Sequence, residues 1–188
     1  FNADAKIIQV DIDASEIGHN RAVDLGIVAD AGLALRALTD AAETRSADFA
    51  GRRESPWVAK LSEYQGKKAV QMEGLLTSSQ APIHPLRLCN EINNFLDRDA
   101  IVSVDGNEIL HFGRQSINTY LPGHRLNSGV TGTMGVGLPY GIGAKLARPD
   151  KQVLVLHGDG SMGMNAMELD TLVRFNLPVV TVISNNAG

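Results

Sequence analysis

One cysteine, Cys89, stands alone in 188 residues, so no internal disulfide can brace the chain. A reducing, cytoplasmic setting is compatible with that usage. Basic residues are not in excess. The net charge is -4 and the pI about 5.7, which leaves no footprint for nucleic acid. No apolar run approaches the length of a membrane span, so no membrane partner is expected. No His/Cys cluster has zinc spacing, and no repeat or low-complexity tract occurs. Initiator Met and a charged-then-apolar leader are also missing. The chain starts at Phe1 just before a strand and stops at Gly188 in a loop, as expected of a piece of a longer polypeptide. Aromatics are sparse at 5%, whereas glycine is abundant at 19 residues. With 44% hydrophobic residues, that balance suits an α/β protein with tight strand-to-helix turns.

Three segments differ in character. Lys6-Ile7-Ile8-Gln9-Val10-Asp11-Ile12 alternates as a strand does, and Leu25-Gly26-Ile27-Val28 reads as a second. Asp30 is placed to cap a helix through Ala42, with Leu33, Leu35 and Leu38 facing inward. Residues 1–42 read as the closing strand-and-helix portion of an α/β domain. Residues 43–81 are more polar and read as a linker with one helix, opened by Ser55-Pro56 and running to Tyr64. Residues 82–188 form a second, truncated α/β unit. Leu86, Cys89, Ile92, Phe95 and Leu96 share a helical face, with Cys89 as a small buried residue. Strands are expected over 100–104, 153–156 and 179–183. Helices are expected to end near Ala147 and to span about 166–175, the latter with Asn165 and Glu168 as a capping pair. Strands apolar on both faces that alternate with helices indicate a parallel, doubly wound sheet.

Gly158-Asp159-Gly160 follows one strand, and Asn185-Asn186 follows the next, with 24 residues between Gly160 and Asn185. A right-handed crossover makes these strands parallel and sets both turns at the carboxyl edge of the sheet. Carboxylate and amide oxygens are hard ligands suited to Mg²⁺ or Ca²⁺. Glycines beside Asp159 admit an anion to backbone N–H groups, and a helix start adds its dipole. Gly158 to Gly163 also matches G-x-G-x-x-G, the dinucleotide fingerprint. That reading requires an acid about 20 residues further on. Ser184-Asn185-Asn186 holds none, and Asp159 would repel a pyrophosphate without a cation.

This acidic turn and amide pair resemble the signature of thiamine diphosphate-dependent enzymes of the acetolactate synthase-like superfamily. Gly132-Thr133-Met134-Gly135-Val136-Gly137-Leu138-Pro139 resembles the same pattern. The resemblance implies that residues 1–42 are the carboxyl-terminal part of a Rossmann-like middle domain and 82–188 the first part of the diphosphate-binding domain, with thiamine diphosphate and Mg²⁺ as cofactors. It implies metal ligation by Asp159, Asn186 and the carbonyl of Gly188. Gly158, Gly160 and Ser161 would hold the diphosphate, and Asn107 would lie near it. Gly132 and Met134 would meet the aminopyrimidine, the Met134 side chain enforcing a bent cofactor unless it merely fills core. A homodimer or homotetramer with the cofactor at a subunit interface is implied too.

No catalytic residue is assignable within these 188 residues. The family's pyrimidine-tuning glutamate comes from an amino-terminal domain, so neither Glu73 nor Glu108 takes that role. Glu108 and His111 remain candidates for reaching a substrate, Glu108 equally as a solvated turn residue. His19 and His84 read as solvated, His124 as positioning the loop after it, and His157 as a packed partner of the acidic turn. Arg125-Leu126-Asn127-Ser128-Gly129 resembles 2-hydroxyacyl-CoA lyases and oxalyl-CoA decarboxylases, although Asn127 stands where those carry Asp. The implied reaction splits or forms a 2-hydroxyacyl-CoA, giving a carbonyl compound and formyl-CoA. The alternatives are an acetohydroxyacid synthase or 2-oxo acid decarboxylase, a non-catalytic scaffold, or a nicotinamide oxidoreductase. The substrate would be a CoA thioester or a 2-oxo acid.

Overall fold

A computed structural model of the chain describes residues 2–187. They fall into two compact units, one ending at Tyr64 and the other beginning at Gln65. The first holds β1 (Ile8–Asp11) and β2 (Leu25–Val28), paired in parallel with Ile8 opposite Leu25 and Asp11 opposite Val28. Helix α1 (Ala31–Thr44) follows, and Asp30 caps it by accepting the Leu33 N–H at 3.0 Å. Leu33, Leu35 and Leu38 do not face inward as expected. All three are more than half exposed, because two strands offer too little surface to cover the helix.

Helix α2 (Pro56–Leu76) is longer than its sequence suggests. Ser55 caps it through the Val58 N–H as expected, but it runs on beyond Tyr64. Lys67, Lys68, Ala69, Gln71, Met72, Glu73 and Leu75 are polar or flexible in part, yet all are strong helix formers. Composition that reads as a linker is here a solvated helix.

The second unit carries the site. In chain order it contains α3 (Pro85–Phe95), β3 (Ile101–Asp105), α4 (Glu108–Ser116), β4 (Arg125–Leu126) and α5 (Gly137–Ala147). Then come β5 (Val153–Gly158), α6 (Asp159–Asn165), α7 (Glu168–Arg174) and β6 (Val180–Ser184). The sheet is wholly parallel in the order β4-β3-β5-β6. Leaving β3 the chain steps one way to β4, then returns across it to β5 and on to β6. Chain direction therefore reverses between β3 and β5, the place where open α/β sheets bind ligands.

Successive strand residues face opposite sides, and the two sides differ. Val102, Val104, Leu154 and Leu156 pack with Cys89 and Ile92 of α3 and Ile109 and Leu110 of α4. Burying each such aliphatic side chain stabilises the fold by about 1.5–3 kcal/mol. Cys89 is fully buried, as its place on that face requires, and burial pushes its thiol up from the ordinary value. Phe95 lies off that face and is exposed, whereas Leu96 packs partly against it. The opposite side presents Ser103, Asp105, Val155 and His157 to α5. That helix comes in close because it has no Cβ at Gly137 or Gly141. A methyl at Gly137 would strike the His157 ring and lie 2.8 Å from the Asp105 Cβ, and one at Gly141 would strike Val155.

Two further departures sit near the site. α4 has no counterpart in the elements expected above. The helix expected over 166–175 is α7, Glu168–Arg174, and the separate α6 precedes it. Asn165 ends α6, with its amide donating to the Gly135 carbonyl, and Met167 rather than Asn165 stands at the start of α7. Glu168 accepts from the Thr171 hydroxyl at 2.8 Å instead. His84 is not a solvated turn residue. Its Nδ1 accepts the Leu86 N–H at the start of α3, and its ring meets Phe112 edge-on at 5.8 Å.

Candidate functional site

Strand register sets the site. Asp105 lies beside His157, and Gly158 beside Ser184, so the loops after β3, β5 and β6 leave the sheet at one edge. Between them is a cleft of about 230 Å³. It is lined by Asn107, Glu108, Met134, Gly158, Asp159, Gly160, Ser161 and Asn186, together with Gly106, Ile109 and Ser184. The structure thus brings together the acidic turn, the amide pair's second member and the methionine, which are far apart in sequence.

Each group is placed by local structure. Asp159 is the first residue of α6 and follows Gly158 in extended backbone, so the first-turn N–H groups have no partner within the helix. Ser161 is buried and donates its hydroxyl to the Gly158 carbonyl at 3.0 Å. No atom outside its own neighbourhood comes within 4 Å of where a Cβ at Gly160 would stand, so that side of the turn is open. Gly106 has φ of 115°, and a Cβ there would lie 3.1 Å from the Gly158 nitrogen and 3.3 Å from the Ser161 hydroxyl. A side chain at Gly106 would crowd the cradle. Across the cleft, the Asn186 amide donates to Glu108 Oε2 at 2.7 Å. Met134 is 42% exposed, so core filling does not explain it.

Two expected site residues lie elsewhere. Gly132 is in a left-handed turn before Met134 but does not line the cleft. His111 is exposed on α4 and does not reach it. Gly188 lies outside the described residues. A larger groove of about 660 Å³, lined by Gln65, Lys68, Asn90, Asn93 and Gln115 among others, contains none of these groups.

Asp105 was not among the expected site residues. It is 2% exposed and accepts the N–H groups of Gly135 at 3.3 Å and Gly137 at 2.8 Å. It thereby caps α5 from a neighbouring strand and pins the loop that carries Met134. His157 Nδ1 stands 3.7 Å from the same carboxylate, too far for a hydrogen bond, and neither ring nitrogen has a partner among the described residues. Burial pushes the Asp105 carboxyl up, but His157 and the N–H groups of Gly137 and Gly106 outweigh it and hold it below the usual range. Its one sequence signal is an acid ending an otherwise apolar strand. His124 Nδ1 lies 2.9 Å from the Asp99 carbonyl, a contact to the turn before β3 rather than to the loop that follows His124.

A hard divalent ion and a phosphate anion fit this donor set. A carboxylate and an amide supply oxygen, and open N–H groups lie beside a glycine cradle. No cluster of three or more His, Cys, Asp or Glu exists among the described residues. No helix among the described residues is long and apolar enough to cross a membrane.

Comparison with known proteins points to a family. Residues 110–188 match the thiamine pyrophosphate enzyme C-terminal TPP binding domain, and residues 1–38 match the central domain of the same enzymes. The chain is 36% identical over 186 residues to acetolactate synthase large subunit IlvG of Mycobacterium tuberculosis, covering 99% of this chain and 32% of that protein. It is 34% identical over 200 residues to 2-hydroxyacyl-CoA lyase of Arabidopsis thaliana, covering 100% of this chain and 33% of that protein. Human 2-hydroxyacyl-CoA lyase 1 is 30% identical over 192 residues, with the same coverage. The chain spans about a third of the length of these curated relatives. From its matches to their central and TPP-binding domains, it belongs to the thiamine pyrophosphate enzymes.

Proposed function

We infer that this chain is part of a thiamine diphosphate- and Mg²⁺-dependent enzyme that cleaves or forms a carbon–carbon bond beside a carbonyl. The observation that carries the reading is the single cleft holding Asp159, Asn186, Met134 and the open first turn of α6. When bound there, thiamine diphosphate supplies the carbon nucleophile that adds to the substrate carbonyl. Asp159 and Asn186 offer oxygens to the ion, and the Gly188 carbonyl is the third ligand the family pattern implies. Gly158, Gly160 and Ser161 receive the diphosphate, with Asn107 beside it. Met134, held on the loop that Asp105 pins, offers a surface against which the cofactor bends. These residues bind and orient, and the intact protein supplies the proton-handling glutamate from elsewhere.

For the substrate we favour a 2-hydroxyacyl-CoA, split to a carbonyl compound and formyl-CoA. Support comes from the 125–129 segment and the named lyase relatives. An acetohydroxyacid synthase is the second reading, favoured by the 36% identity to an acetolactate synthase. A homodimer or homotetramer and a cytoplasmic location complete the proposal. In calorimetry, the intact protein should bind thiamine diphosphate only when Mg²⁺ is present and release it to a chelator. Incubation with 2-hydroxyacyl-CoA should then yield formyl-CoA. Consumption of pyruvate alone would establish the second reading. Cofactor binding with no turnover of either substrate would mark a non-catalytic member, and NAD binding without metal would point to an oxidoreductase.

A further inference from the structure

We propose that Glu108 is a positioning residue that turns the oxygen of the Asn186 amide toward the bound ion. The proposal rests on the cofactor reading above. Glu108 opens α4, and its Oε2 accepts the Asn186 Nδ2 at 2.7 Å across 78 positions of sequence. Both residues line the cleft together with Asp159.

The chemistry is one of orientation. A carboxylate only accepts hydrogen bonds, so the end of the amide that faces Glu108 must be its NH₂. The oxygen is thereby turned away from Glu108. A hard cation takes a carbonyl oxygen and is repelled by N–H donors, so an amide rotated by half a turn is no ligand. The backbone does not make this choice, because Asn186 lies beyond the last residue of β6. The neighbouring amide cannot help, since the Asn185 Oδ1 accepts the Ala187 N–H of its own turn. An acid next to a phosphate site is unfavourable on charge alone, which makes its presence in the cleft informative. Removing the outer partner of a metal ligand weakens metal binding by about ten- to hundredfold.

The experiment is a calorimetric titration of the intact protein with thiamine diphosphate at a series of Mg²⁺ concentrations. Glu108→Ala should raise the Mg²⁺ concentration for half-maximal cofactor uptake by about tenfold or more. Glu108→Gln keeps a side-chain carbonyl that still accepts from Asn186, and its effect should be the smaller. The decisive arm uses Asn186→Asp, whose two oxygens are equivalent and have no orientation to set. In that background Glu108→Ala should not weaken the Mg²⁺ dependence at all, and relief of repulsion between two acids should strengthen it. A role for Glu108 only in holding α4 would weaken binding equally in both backgrounds, and that result overturns the proposal. So does an unchanged Mg²⁺ dependence in Glu108→Ala. A wild-type protein with no metal-dependent uptake overturns the cofactor reading, and this proposal with it.

Discussion

Asp105 shows how one side chain serves a site it does not line. Two backbone N–H groups of the Met134 loop end on its carboxylate. Asp105→Ala leaves the buried Gly137 N–H without an acceptor, a loss of about 1–3 kcal/mol in urea unfolding. pH should act through the same group. Its folded carboxyl ionises below the ordinary value of 3.8, so the stabilisation is complete above that pH and drains away as acid takes the protein through the folded value. The wild-type unfolding free energy should therefore fall more steeply below about pH 4 than that of Asp105→Asn. Equal slopes would mean that the ionised form contributes nothing.

At the scale of elements, the close seating of α5 decides where the glycine-rich loop ends. Gly137→Ala introduces a methyl against two buried side chains and should cost about 1–3 kcal/mol, read as a lower melting temperature. Gly143→Ala on the same helix meets open space, so it should be neutral or mildly stabilising. What the sequence disclosed follows from this contrast. β3 and β5 were legible because aliphatic residues occupy both of their faces, and the cleft because a glycine-flanked acid and an amide pair bracket one β-α-β unit. α4 was hidden because its polar half, with Glu108, His111, Arg114 and Gln115, faces solvent and masks the buried Ile109, Leu110 and Gly113. The part of α2 beyond Tyr64 was hidden for a related reason: polar helix formers resemble a linker when no core face marks them. Asp105 was hidden because its role depends on a loop 30 residues away, which no local pattern records.

At the scale of the molecule, the second unit is a sheet whose wall residues are contiguous in sequence and whose opening is not. β3 and β5 supply Val102, Val104, Leu154 and Leu156 to the aliphatic core, while the cleft also needs the loop after β6. Assembly order follows from that arrangement. The bond between Glu108 and Asn186 closes a loop of 78 residues, and that closure is entropically costly until the final strand has docked. On dilution from denaturant, helical signal should return before the capacity to capture thiamine diphosphate. Stopped-flow circular dichroism run beside a cofactor-quenching assay would register the lag, and simultaneous recovery would refute it. During translation, accordingly, a nearly finished wall would precede the ligand grip, which waits until the residues after β6 have left the ribosome.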